Sequence, residues 1–114
     1  MKIINKTKNT ILAQEVILAN TLFKRIKGLL GRKEFYPPEA LILEPCNSIH
    51  TFFMKFPIDV VFLNKQNIVI KTLSFFKPWR LSGIYFASFR CIELPAGTLK
   101  ATSTEIGDYL FFEP

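Results

Sequence analysis

Apolar residues along this chain gather in short runs rather than on helical stripes. Thr10 to Leu18 is rich in Ile, Leu and Val and ends at Asn20-Thr21, and Leu41 to Glu44 is closed by Pro45. Ile49 to Met54 and Ile58 to Leu63 are β-prone runs separated by Lys55-Phe56-Pro57. The polar turn Asn64-Lys65-Gln66-Asn67 leads into Ile68 to Phe76, a pattern that predicts a β-hairpin with a four-residue loop. Tyr85 to Leu94 and Tyr109 to Glu113 supply two further strands. Runs of this length, punctuated by Pro, Gly and Asn, predict a mainly β fold: a compact jelly-roll or sandwich-like arrangement, or a distorted barrel.

One segment breaks the β pattern. Leu22, Phe23, Ile26, Leu29 and Leu30 fall within one arc of a 3.6-residue wheel and predict a short amphipathic helix near residues 21–31. Asn20 or Thr21 suits its N-cap, and Gly28 or Gly31 its end. Lys24 and Lys27 occupy the opposite arc. Arg25 and Arg32 stand at the boundary, where their stems can lie on the core and their heads turn toward a neighbouring cleft. Lys24, Arg25, Lys27, Arg32 and Lys33 form a basic set that reads either as a phosphate-binding surface or as the solvated side of the helix.

The length of 114 residues bounds the chain to a single domain, 1–114, able to bury roughly two-thirds of its unfolded surface without a disulfide or metal staple. An apolar fraction of 49% with 12 Phe, against 21% charged residues, excludes disorder. The net charge of +6 favours anionic partners such as nucleic acid, phosphorylated metabolites or an acidic membrane surface, or else serves solubility alone. No apolar run reaches the roughly 20 residues of a membrane span, and the start lacks a signal-peptide core. Two cysteines are too few for a disulfide framework, so a cytoplasmic protein with reduced thiols is expected.

Candidate chemistry concentrates between Cys46 and Asp59, a stretch that holds the sole histidine, His50. Cys46 and His50 are four apart: neighbours about 5–6 Å apart on a helix, but about 13 Å apart along a strand. Pro45 and Asn47-Ser48 point to a loop before the strand, which could fold back and pair a nucleophilic Cys46 with His50 as its base. The alternative is a small buried thiol and a histidine bonded to backbone. A zinc site would draw on Cys46, His50 and Cys91 with Asp59, Glu44 or Glu93, but no paired ligand spacing is present and no metal or cofactor is expected. Asp59, entering an apolar strand, must be satisfied by turn amides, by His50 or by an arginine such as Arg25. Phe75, Phe76, Trp79 and Tyr85 surround Lys77, Pro78 and Arg80, a mixture that can stack sugars or bases or else close one end of a β core.

Four motifs in order carry a resemblance: Arg25-x-x-Gly28-Leu29-Leu30-Gly31-Arg32; His50-Thr51-Phe52-Phe53-Met54; Pro57-Ile58-Asp59-Val60-Val61-Phe62-Leu63; and Glu93-Leu94-Pro95-Ala96-Gly97 with Gly107-Asp108. Together, over roughly residues 10 to 112, the chain resembles the prokaryotic family called domain of unknown function 192. The resemblance implies a compact mainly β fold with one short helix packed against it, and no established activity. Many members of the family begin with a signal peptide, and many carry Trp-Met-Lys-Asn-Thr before the Pro-x-Asp element. Here Phe53-Met54-Lys55-Phe56 runs straight into Pro57.

These readings converge on a non-catalytic binding or accessory domain for a small polar or anionic ligand. Its cleft would hold His50 and Asp59, with Arg25 and Arg32 at the rim and Trp79 as an apolar wall. Two other classes stand beside it: an enzyme with Cys46 as nucleophile, His50 as base and Asp59 orienting it, and a nucleic-acid or protein interaction module using the basic helix and the Trp79 loop.

Overall fold

A computed structural model of the chain describes residues 1–19 and 35–114; the helix expected near residues 21–31, and with it Arg25 and Arg32, lies outside them. The described residues form strands β1 (Lys2–Asn5), β2 (Thr10–Ala13), β3 (Glu15–Ala19), β4 (Glu39–Leu43), β5 (Ile58–Leu63), β6 (Val69–Phe76), β7 (Arg90–Pro95) and β8 (Leu110–Glu113), with one short helix, α1 (Thr98–Thr102), before β8. They make two open sheets: one ordered β2-β1-β8, the other β3-β4-β7-β5-β6. The fold is therefore mainly β and sandwich-like, and neither sheet closes into a barrel.

The apolar runs without alternation are the strands with two covered faces. Every residue of β5 is buried, and so is all of β7 except Arg90. On one face, Ile42, Val61, Leu63, Ile92 and Leu94 meet Ile3, Leu12, Ala13 and Leu110 of the three-stranded sheet. On the other, Leu41, Leu43, Ile58, Val60, Phe62 and Cys91 pack with Phe35, Cys46, Ile49 and Met54. This second core forms the floor beneath the candidate site. The hairpin expected between β5 and β6 is present, turning where the Asn64 carboxamide oxygen accepts from the N–H groups of Gln66 and Ile68, each 3.0 Å away.

Three expectations need correction. Thr10 to Leu18 is not one strand: Gln14 and Glu15 both donate to the Pro38 carbonyl, at 2.8 and 3.1 Å, and the chain passes there from one sheet to the other. Ile49 to Met54 does not form a strand; only His50 makes an isolated bridge, to Leu81. Tyr85 to Phe89 is a turn, closed by Ser88 N–H to Tyr85 O at 2.8 Å, so the strand begins at Arg90. Helix α1 and strand β1 carried no readable signal, being too short for either period to register.

Candidate functional site

The loop after Cys46 is held by a second loop, residues 77–88. Asn47 to Thr51 runs antiparallel to Trp79–Tyr85, through Trp79 N–H to Thr51 O (2.9 Å), Thr51 N–H to Arg80 O (2.9 Å), Ser82 N–H to Ile49 O (2.9 Å) and Tyr85 N–H to Asn47 O (2.8 Å). Thr51 is the hub. Its buried hydroxyl donates to Lys77 O at 2.6 Å and accepts from Arg80 N–H at 3.0 Å. Together these bonds fix both loops without regular secondary structure, because main-chain groups of one find partners on the other across the gap.

This frame presents aromatic side chains outward. The His50 ring stacks on Phe52 (5.2 Å between centroids), Phe52 reaches Trp79 (6.4 Å), and Phe53 lies 4.7 Å from Trp79. Phe53 and Trp79 stay 66% and 56% exposed, although both adopt the left-handed backbone region, at φ 66° and 63°. That conformation costs a bulky residue on the order of 1–3 kcal/mol. Only partial burial, with the two rings against each other, offsets it here. Leu81 beside His50, and Ile84 and Phe86 further along the same loop, are exposed as well.

The other sequence candidates lie apart from this patch. Asp59 is fully buried at the start of β5; one carboxylate oxygen accepts from Phe75 N–H (2.9 Å), the other from Gly97 N–H (3.0 Å) and Leu99 N–H (2.9 Å). It thus ties the end of β6 to the first turn of α1, fulfilling the backbone-amide alternative. Cys46 Sγ donates to Ser48 O at 3.1 Å. The exposed His50 ring is engaged elsewhere, its Nδ1 accepting from Phe52 N–H at 3.3 Å. Cys46, Ser48 and Ser88 line a cavity of about 240 Å³ with Pro45 and Asn47. Of the predicted set, His50 and Trp79 come together, bridged by Phe52.

Beneath Cys46, β7 places Cys91 and Glu93 on the face of the second core, opposite Leu43 and Leu41 of β4. Burial first, then the nearby Cys46, pushes the Glu93 carboxyl up to about 8. Burial and contact with Cys46 raise the Cys91 thiol far above its usual range. Both cysteines are thiols. Glu93 therefore sits among sulfur and hydrocarbon as a neutral acid near neutral pH. Among the described residues, no three His, Cys, Asp or Glu side chains converge as a metal-ligand set. Sequence reasoning passed over Thr51, Phe52 and Phe53 as site residues and saw Glu93 only as a spare ligand. The signals available were Phe52-Phe53 beside the sole histidine and a lone acid within Cys91-Ile92-Glu93-Leu94.

Comparison with known proteins returns the same architecture and no assigned chemistry. The chain is 36% identical over 113 residues to a UPF0127 protein of Pyrococcus furiosus, covering 94% of each. It is 35% identical over 117 residues to a UPF0127 protein of Thermococcus sibiricus, covering 97% of this chain and 74% of that one. A crystal structure of a protein of unknown function from Novosphingobium aromaticivorans superimposes with a TM-score of 0.82 at 17% identity, over 97% of this chain and 82% of the other, a likeness of fold. The model of the family described as Uncharacterized ACR, domain of unknown function 192, matches residues 3–112, and the chain belongs to that family.

Proposed function

We propose that this protein is a non-catalytic binding domain for a small polar or anionic ligand, and that His50 and Trp79 mark the binding surface. The observation that carries the reading is the pair Phe53 and Trp79: two large aromatic residues in a strained backbone region, on loops hydrogen-bonded to each other, and both more than half exposed. Strain kept with so little burial suggests a surface shaped for something outside the chain. Lys55, Lys77 and Arg80 stand next to or two positions from Phe53 or Trp79 along the chain and enter no salt bridge among the described residues, so these loops carry uncompensated positive charge. Arg80 makes only long contacts, at 3.5 and 3.4 Å, to Pro78 O and Trp79 O.

Asp59 supports this surface from below, since it anchors Phe75 just before Lys77 and Trp79. Arg25 and Arg32 belong to the same proposal as rim residues. The nucleophile reading has less support, because Cys46 and His50 are bonded to other groups. The two thiols favour a reducing, cytoplasmic setting.

The single histidine and single tryptophan make the test direct. Titration with inorganic phosphate or glycerol 3-phosphate should shift the His50 ring protons and the Trp79 indole N–H together in proton NMR spectra. Saturation that leaves both resonances in place would remove the proposal.

A further inference from the structure

We infer that the ligand is the phosphate headgroup of an anionic lipid, met at a bilayer surface on which the Trp79 loops dock. This rests on the binding reading above and names the source of its anion. Two observations carry it, one of charge and one of shape.

Between Pro45 and Ile92 the only carboxylate is Asp59, which is fully buried, whereas the same stretch holds Lys55, Lys65, Lys71, Lys77, Arg80 and Arg90. Arg90 is neutralised by Glu44 at 2.8 Å. Of these cations, Lys55, Lys77 and Arg80 belong to the two loops, which carry no exposed acid of their own and so complement an anionic leaflet.

The apolar groups of these loops are open to solvent. Phe53, Trp79, Leu81 and Phe86 are 66%, 56%, 68% and 85% exposed on the two bonded loops. Among the described residues, the cavity beside Cys46 is lined by Pro45, Cys46, Asn47, Ser48 and Ser88, and these side chains lie outside it. Projecting aromatics suit the headgroup boundary, where their rings meet acyl chains while lysine and arginine meet phosphate. A folded protein partner would call for a complementary apolar groove without needing the cations. A nucleic acid would use the cations and flat rings, but leaves Leu81 and Ile84 unused. No helix among the described residues is long and apolar enough to span a bilayer, so contact would be peripheral.

The test is co-sedimentation of the full chain with phosphatidylcholine vesicles and with vesicles enriched in phosphatidylglycerol, alongside phosphate and polyuridylate in solution. The expected result is pelleting with phosphatidylglycerol only, weakening as salt rises. Lys77→Gln and Arg80→Gln should each weaken it about fivefold, the equivalent of about 1 kcal/mol per cation near an anionic surface. Phe53→Ala should weaken it about tenfold, with the circular dichroism spectrum unchanged. Equal pelleting with both vesicle types would overturn the assignment, as would binding of polyuridylate alone or self-association that covers Trp79. A response to soluble phosphate without pelleting would overturn the lipid source and leave the binding surface standing. Silence toward every probe would overturn both.

Discussion

Asp59 shows how a single side chain can look functional in sequence and act structurally. An aspartate inside an apolar run invites a catalytic reading, yet its two oxygens accept three main-chain N–H groups. Removing it would orphan those donors in the core, so Asp59→Ala should lower unfolding free energy by roughly 3–5 kcal/mol, measured by urea denaturation. Glu93 is the converse. In sequence it is one acid within an apolar run, but its carboxyl is held protonated up to about 8 against an ordinary value of 4.5. Between those values the folded state holds a proton that the unfolded state has released. Its stabilisation is therefore complete below about 4.5 and declines as pH rises toward 8, by on the order of 1.4 kcal/mol per pH unit. Urea midpoints should fall over that window in the native protein and stay flatter in Glu93→Gln. Both thiols are buried, so neither should be alkylated by iodoacetamide at neutral pH until denaturant is added. The sequence identified Asp59 as a group that must be satisfied, because burial of a charge is readable from its apolar neighbours. It could not say by which partners, since Gly97 and Leu99 are 38 and 40 residues away along the chain.

Elements were legible in proportion to their length and regularity. The run Ile58 to Leu63 became β5 with the expected bounds, and the hairpin followed from its polar turn. Ile49 to Met54 has equal β-propensity but no ladder, because Thr51 spends its hydroxyl and main chain on Lys77, Trp79 and Arg80 in the facing loop. Propensity describes a residue's fit to a pleated sheet, and here loop-to-loop bonding decided the outcome. Thr51→Val retains the shape and deletes the hydroxyl, so it should destabilise the fold by about 1–2 kcal/mol and loosen both loops. Faster amide exchange confined to residues 47–54 and 77–85 would confirm it; a uniform change would not.

At the scale of the molecule, two faces of one sheet are given different tasks. The three-stranded sheet covers one face, and its closing turns are fixed where Asp108 accepts from Asn5 Nδ2 at 2.8 Å and from Lys8 Nζ at 3.0 Å. Burial works to raise the Asp108 carboxyl, but the hydrogen bonds from Asn5, Lys8 and the Glu105 N–H hold it below its usual range. That contribution is present at neutral pH and is lost as pH falls through the depressed value, the opposite sign to Glu93. The second face supports the loops that carry His50, Phe53 and Trp79, and these loops add Lys55, Lys77 and Arg80 without an exposed acid between Pro45 and Ile92. Composition announced the charge, but only the paired loops show where it meets exposed rings. The most direct test of this account is the emission of Trp79, the one tryptophan of the chain, as phosphatidylglycerol vesicles are added at low salt. The account predicts a blue shift that saturates and is reversed by added salt. Vesicle binding with unchanged Trp79 emission would contradict it, since another face would then be in contact.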